Sequence, residues 1–239
     1  MDFMKTFYRI IFICCLLVCV SSVMKAQTTK KRFSSDIHVG LNFATMDIEN
    51  ANMFKTPKIG VNIGVNFNYK ILGNIQLQSG LFVTKKGLKQ HIKSRTKDET
   101  TGTVVANDTI THIVPNYIQV PLALGYEVYL SKNFAFNVNV GGYAAYGFKG
   151  YHTRETSSWT VEAGRPPSDV SYGPGIDTDV FDDNNVLRRF DYGVIASVGF
   201  IYDIYMINFN YEHGLYNISN DASRVLKTRN KWFSIGFRF

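Results

Sequence analysis

A serine and a histidine near the end of the chain are the first residues whose types suggest chemistry. His213 precedes Ser219 by a short interval, and Glu212 is the sequence neighbour of His213. A serine hydroxyl activated by histidine can attack an ester, with a carboxylate orienting the histidine. In an extended strand, however, adjacent side chains point to opposite faces, so Glu212 and His213 cannot form a relay without a bulge. We therefore expect no catalytic residue, and a lipid-modifying enzyme is the least favoured hypothesis.

Oxygen ligands crowd one polar segment, where they suggest a calcium site. They are Asp177, Asp179, Asp182, Asp183 and Asn184. Their spacing lacks the central glycine and the terminal glutamate of an EF-hand loop. We expect a solvated acidic loop, with no metal site and no cofactor.

Eight segments that alternate large apolar with small or polar residues must position these groups. They cover residues 37–44, 60–69, 75–84, 118–127, 134–141, 190–202, 205–212 and 231–239. One such segment is weak evidence, because half-buried strands of soluble sheets also alternate. Eight in succession predict an all-β fold. The polar faces carry Asn, Gln, Gly, Ser and Glu, whereas charged residues concentrate between the segments, so the apolar faces are predicted to contact lipid.

The last nine residues show the pattern most clearly. Phe233, Ile235, Phe237 and Phe239 share one face of an extended strand, and Trp232, Ser234, Gly236 and Arg238 share the other. An aromatic outer face and a polar inner face are typical of a transmembrane barrel strand. Trp232, Phe237 and Phe239 also resemble the C-terminal signal by which barrel proteins reach their insertion machinery.

The N-terminal segment predicts export. Lys5 and Arg9 precede the apolar run Ile10–Val20, and Ala26 ends a stretch suited to cleavage. We predict a signal peptide over residues 1–26 and one barrel domain over residues 27–239. All three cysteines fall in this leader, so the mature chain forms no disulfide. It keeps about +5 of the formal charge of +7 and has no basic patch interleaved with aromatics that would suggest nucleic acid.

The connections between the segments are alternately long and short, as in outer-membrane barrels. The short ones lie near Lys70–Asn74, Leu130–Asn133 and Asp203–Ile204, and the long ones near Asp47–Lys58, Lys86–Pro115, Lys149–Arg189 and Asn217–Asn230. We predict an eight-stranded antiparallel transmembrane β-barrel of the bacterial outer membrane, with short periplasmic turns and long outer loops. Tyrosines near the short turns, such as Tyr69, Tyr126, Tyr202 and Tyr205, are predicted to form an interfacial girdle.

The interior of such a barrel is just wide enough for side chains to fill it. Glu127, Glu212 and Arg238 lie on inward faces, with Lys86 as a further candidate. Opposite charges in a narrow lumen are expected to pair. We predict a charge cluster that plugs the lumen, and we favour this over a proton or ion path.

The sequence around these strands resembles the PorT-type outer-membrane β-barrel family of Bacteroidetes. The resemblance rests on Gly40–Ala44, Gly60–Gly64, Leu77–Gly87, Gly141–Tyr143 and Asp191–Gly193, and above all on Asn116–Leu124. In the last of these, Gln119 stands where the family commonly has glutamate. The resemblance covers nearly the whole mature chain, implies a barrel, and suggests an accessory role in type IX protein secretion. Pro121, which lacks an amide donor, is predicted to mark a bulge.

The loops supply the candidate contacts. Trp159, Tyr172 and Phe181 are predicted partner contacts, although packing over the barrel mouth explains them equally well. Asp108–Ile110 looks like a short O-glycosylation acceptor motif of Bacteroidetes. The leading hypothesis is an accessory or structural component of an envelope complex, and the alternative is a surface binding protein that uses the loop Lys149–Arg189. Expected partners are outer-membrane lipid and lipopolysaccharide, the insertion machinery and envelope or secretion proteins.

Overall fold

The computed structural model describes residues 32–48, 54–97, 103–161, 168–181 and 186–239. The predicted signal peptide lies outside these residues. The described elements are ten strands: β1 (Phe33–Ile48), β2 (Phe54–Leu72), β3 (Ile75–Lys85), β4 (Leu88–Lys97), β5 (Val104–Tyr129), β6 (Phe134–Val161), β7 (Ser168–Asp179), β8 (Phe190–Tyr202), β9 (Tyr205–Gly214) and β10 (Leu226–Arg238). No helix of the described chain is both long and apolar enough to cross a membrane.

Eight of the strands close a ring. The pairs run β1–β2, β2–β3, β3–β5, β5–β6, β6–β8, β8–β9 and β9–β10, and β10 pairs back to β1. Every pair is antiparallel, and the closing pair runs from Asp36 opposite Arg238 to Ile48 opposite Leu226. Each predicted segment falls in a different strand of this ring. The prediction of an eight-stranded antiparallel barrel is confirmed.

Two further strands lie where the sequence predicted long loops. β4 pairs with β5 from Leu88 opposite Ile113 to Lys97 opposite Val104, and β7 pairs with β6. The interpretation of Lys86–Pro115 and Lys149–Arg189 as loops was therefore wrong. Residues 104–114 are rich in β-branched types, which favour strands. We call β4, β7 and the adjoining parts of β5 (104–114) and β6 (150–161) the outer sheet.

The wall of the ring has polar residues inside and apolar residues outside. Along β3 the burial alternates, so that Gln76 is 1% exposed while Leu77 is 37% exposed. The same contrast separates Asn139, at 3%, from Val140, at 60%. Exposed apolar side chains with a buried polar interior require a lipid surrounding. The prediction about which face is apolar is confirmed.

The short turns stand at one end of the barrel, with exposed tyrosines around them. Gly73 and Asp203 adopt positive φ angles of 56° and 55° in two of these turns, a conformation that glycine and aspartate tolerate best. Tyr69, Tyr126, Tyr202 and Tyr205 are between 47% and 62% exposed on the outer wall. Their position matches the predicted girdle.

Pro121 does not mark a bulge. Its strand β5 keeps one register with β3 on both sides of it, and the irregularity between β5 and β6 lies at Asn116 and Tyr117. The Ser79 hydroxyl donates to the Pro121 carbonyl at 2.9 Å. The missing proline amide therefore interrupts the ladder without inserting a residue.

We predict that an arginine on the lipid-facing wall destabilises the barrel according to its depth. Ile63 is 53% exposed in the middle of β2, and Ile71 is 52% exposed beside a short turn. Ile63→Arg is expected to cost about 2–4 kcal/mol, and the matched Ile71→Arg about 0–1 kcal/mol, because charge is least tolerated at the bilayer midplane. Denaturant titration in lipid vesicles measures both. Equal losses would contradict the assignment of the membrane-facing wall.

Candidate functional site: the buried charges of the lumen

Three charged side chains form the outer charge cluster, which lies in the half of the lumen nearer the long connections. Lys86 Nζ lies 3.2 Å from Asp191 Oδ2 and 3.4 Å from Glu212 Oε2. All three side chains are at most 1% exposed. Lys86 directly follows β3, whereas Asp191 lies on β8 and Glu212 on β9, so the cluster connects distant strands across the lumen.

Neutral donors complete the coordination of Glu212. Its Oε1 accepts from Gln119 Nε2 at 2.7 Å and from Trp232 Nε1 at 3.1 Å. These donors lie on β5 and β10, on inward faces next to lipid-facing neighbours. Because a buried carboxylate is stable only when its lone pairs are satisfied, the two hydrogen bonds stabilise Glu212 in the lumen.

Asp191 is held by hydroxyl groups. Its Oδ2 accepts from Thr228 Oγ1 at 2.9 Å and from the Tyr143 hydroxyl at 3.2 Å. The Tyr143 ring also faces the ammonium group of Lys86, with Nζ 4.3 Å from the ring centroid. Lysine, hydroxyl and carboxylate groups thus form one connected network.

A second set, the inner charge cluster, lies near the short turns. Arg238 donates to Asp36 through Nε at 2.7 Å and to Glu127 through Nη1 at 2.6 Å. Lys70 Nζ lies 3.5 Å from Glu127, and Asn68 donates to Asp36 at 2.7 Å. The cluster contains two cations and two carboxylates, so its charges balance.

An aromatic layer separates the two clusters. Phe82 is 3% exposed and packs against Trp232, with ring centroids 5.6 Å apart. Its ring lies so close to Gly64 that a Cβ atom at that position would overlap it. A cavity of about 20 Å³ remains beside these rings, which is room for about one water molecule. The lumen is therefore filled by side chains.

The structure separates the predicted charges into two groups. Glu127 and Arg238 meet in the inner cluster, whereas Glu212 pairs with Lys86 in the outer one. The sequence interpretation missed Asp36 and Asp191. Asp191 lies on an inward position of the predicted segment 190–202, and Asp36 precedes the first segment by one residue, in phase with the inward His38, so the alternation contained the signal that would have found them.

The three loop aromatics do not share one surface. Tyr172 is 78% exposed on β7, and Trp159 is partly buried on β6. Phe181 is only 5% exposed and meets the Tyr117 ring edge-on, with centroids 6.1 Å apart. Its burial corrects the expectation that Phe181 contacts a partner. For this residue, packing in the barrel mouth is the explanation.

The serine–histidine pair is not assembled. Ser219 is 2% exposed, and its hydroxyl donates to the Asp221 carbonyl at 3.2 Å. His213 lies on β9 opposite Arg229 of β10. The structure therefore provides no activated serine at this position.

The acidic segment lies only partly within the described residues, and the glycosylation motif is only partly exposed. Asp179 Oδ1 accepts from the Phe181 amide at 2.8 Å, whereas Asp182, Asp183 and Asn184 lie outside the described residues. No group of three His, Cys, Asp or Glu in the described part of the chain could hold a metal ion. Thr109 of the glycosylation motif lies within β5, where it is 9% exposed.

The terminal aromatics are divided between the two faces. Trp232 is buried in the lumen, whereas Phe237 and Phe239 are 46% and 53% exposed. Their role as an insertion signal stays a prediction.

Comparison with known proteins identifies this architecture. Residues 25–220 match the model of a family described as outer membrane protein beta-barrel domain. The chain belongs to this family. An outer-membrane barrel domain has an apolar wall and a polar lumen, as found here, and the protein resides in the bacterial outer membrane. No curated protein matches the sequence.

Three solved outer-membrane proteins are similar to this chain at low identity. Ail, the attachment invasion locus protein of Yersinia pestis, is 11% identical over 87% of this chain and 99% of its own, with a TM-score of 0.40. OprG from Pseudomonas aeruginosa is 11% identical over 86% of this chain and 95% of its own, with a TM-score of 0.33. Neisserial surface protein A is also 11% identical, over 85% and 95%, with a TM-score of 0.33. At these values the likeness carries no functional conclusion.

We predict that the outer charge cluster depends on its single cation. Lys86→Met leaves two carboxylates buried without a counter-charge and is expected to cost about 3–5 kcal/mol of barrel stability. The neighbouring Lys85→Met is the control, because Lys85 faces outward over the Tyr151 ring at 5.5 Å and its loss should cost less than about 1 kcal/mol. Denaturant titration compares the two variants.

Removing the two carboxylates as well tests whether unpaired charge causes the loss of stability in Lys86→Met. Adding Asp191→Asn and Glu212→Gln to Lys86→Met removes the unpaired charges and should recover most of the lost stability. A triple variant as unstable as Lys86→Met would show that packing, and not charge, dominates at this position.

Proposed function

We propose that this family member is a closed, non-enzymatic outer-membrane barrel that serves as an accessory component of an envelope complex. The supporting observation is the filled lumen, in which the buried cations pair with carboxylates of other strands. Such an interior has no room for a substrate or for a general passage. The remaining working surfaces are the outer sheet, the periplasmic turns and the lipid-facing wall.

We assign the complex to type IX protein secretion. The support is the resemblance of the fourth ring strand, Asn116–Leu124, to the PorT-type pattern. In the structure this segment contributes Gln119 to the outer charge cluster, where it binds Glu212. The most family-like stretch of the sequence thus builds the lumen network.

A surface binding protein is the second candidate, because the outer sheet offers an open strand edge. Within the described residues β7 pairs with β6 alone, and Tyr172 stands 78% exposed on it. Unpaired strand edges can accept a partner strand, and exposed aromatics anchor interfaces. Lipid modification is the least supported function, since the hydroxyl of Ser219 is engaged by the Asp221 backbone.

We predict that the barrel purifies with an envelope protein in fixed stoichiometry. The measurement is affinity purification of the tagged protein from gently solubilised native outer membranes, followed by mass spectrometry. Secretion components among the stoichiometric partners would support the type IX assignment. Recovery of the barrel alone would contradict the accessory role.

Shortening the β6–β7 hairpin separates the two candidates. A variant that replaces residues 152–178 with a short turn keeps the ring strands, because β6 pairs with β8 only between Phe134 and Tyr146. An accessory component held by its wall or turns should keep its partner in this variant. A surface binder should lose its ligand.

We also predict that the reconstituted barrel shows no stable ion conductance in a planar bilayer, because paired side chains fill the lumen. Lys86→Ala combined with Asp191→Ala and Glu212→Ala is the comparison, since it removes the outer charge cluster. Steady conductance of the unmodified barrel would contradict the closed interior.

A further inference from the structure

The lipid-facing wall carries a groove beside an unusual lysine. The groove has a volume of about 560 Å³ and lies across β8, β9 and β10. Its lining includes Phe43, Ala196, Phe209, Tyr211, Lys231 and Phe233. Small-molecule sites typically have volumes of about 300–1,000 Å³, so the groove is large enough for part of a lipid.

The register explains why a groove forms there. Lys231 stands opposite Tyr211, and Tyr211 stands opposite Ala196, so the three form one row around the wall. Ala196 is the small member of that row and leaves a gap beside the tyrosine. One step toward the short-turn end, Phe209 and Phe233 pack together with ring centroids 5.2 Å apart and form the aromatic side of the gap.

Lys231 is a charged residue among apolar side chains on the lipid-facing wall. It lies opposite Phe43 on one side and Tyr211 on the other, two residues beyond the lipid-facing Phe233. It forms no ion pair with any described residue. Arg229, the next outward-facing cation on β10, is paired with Asp47 at 2.6 Å. A lipid-facing lysine extends its ammonium group toward the headgroup region, where an anion stabilises it.

We propose that this groove and Lys231 form a binding site for one lipopolysaccharide molecule of the outer leaflet. An acyl chain lies in the groove against Ala196 and the aromatic side chains, and a phosphate of the headgroup pairs with Lys231. The position selects this lipid, because Lys231 is on the side of the long connections, which face the cell exterior in outer-membrane barrels.

The order of the residues along the wall matches the shape of such a lipid. Two residues rise about 7 Å along a strand, and strands of outer-membrane barrels tilt by about 35–45°, so Lys231 stands about 5 Å closer to the headgroups than Phe233. Apolar side chains therefore lie deeper and the cation lies shallower. Tyr211 is 39% exposed in this groove, and tyrosines are favoured at membrane boundaries because they combine an apolar ring with a polar hydroxyl.

Binding of fluorescent lipopolysaccharide to the purified full barrel in detergent, followed by anisotropy, tests the site. Lys231→Met should weaken binding about fivefold, since one basic residue contributes about 1 kcal/mol near an anionic headgroup. Lys231→Glu should weaken it further, and added salt should reduce the difference between Lys231→Met and the parent. Ala196→Phe fills the groove and should abolish retention of the lipid.

Two matched variants control for charge and bulk. Lys132→Met removes an exposed lysine at a short turn, and Leu122→Phe enlarges a lipid-facing side chain that is 58% exposed on β5. Both should bind as the parent does. The faster migration of the unheated barrel on a denaturing gel confirms that each variant is folded.

Several outcomes would overturn the site. Unchanged binding by both Lys231 variants would remove the phosphate contact, and unchanged binding by Ala196→Phe would remove the acyl groove. Competition by phosphatidylglycerol as strong as that by lipopolysaccharide would refute the choice of lipid. Equal competition by phosphatidylcholine would show that no net anionic charge is required. None of these results depends on the proposed envelope complex.

Discussion

The structure depends on pairing charges inside a narrow lumen whose wall is surrounded by lipid. A lysine or carboxylate in that interior has little water, so its counter-charge must come from another strand. Lys86, which directly follows β3, pairs with Asp191 of β8 and Glu212 of β9, and Arg238 of β10 pairs with Glu127 of β5. Polar contacts across the lumen therefore replace the apolar core of a soluble protein and hold opposite parts of the ring in place.

Outside the membrane, part of the barrel wall continues as the outer sheet. β5 and β6 stay paired past the ring as a two-stranded ribbon, and β4 and β7 widen it into the outer sheet. Phe181 and Tyr117 close the mouth beneath that sheet. A paired extension from a sealed barrel presents a surface outside the membrane, and this surface is the one that a surface binding protein would use.

The sequence predicted the ring well, because lipid outside and side chains inside enforce a two-residue period on every strand. It failed for β4, whose outer half is exposed on both faces, so that neither face requires apolar residues. The extra strands became visible only through their pairing with β5 and β6. Their β-branched residues were a weaker signal than alternation.

The sequence predicted only part of the buried charge clusters, because alternation gives the face on which a residue lies and nothing more. Alternation shows that Glu127, Glu212 and Arg238 point inward, but it does not show their heights in the barrel. The connections could have shown this, since Glu127 precedes a short turn and Glu212 precedes a long loop. Which donors satisfy each carboxylate depends on the register between strands, and no single strand encodes it.

The contact between Asp36 and Arg238 has a consequence for assembly. Asp36 is in the first strand of the ring and Arg238 in the last, and the two residues stand opposite each other at the seam. Their contact forms only when the first and the last strand of the ring pair with each other. The pair therefore forms at ring closure and favours the correct register. If β10 paired with β1 one residue out of register, Arg238 would face the hydrocarbon and Asp36 would be left unpaired.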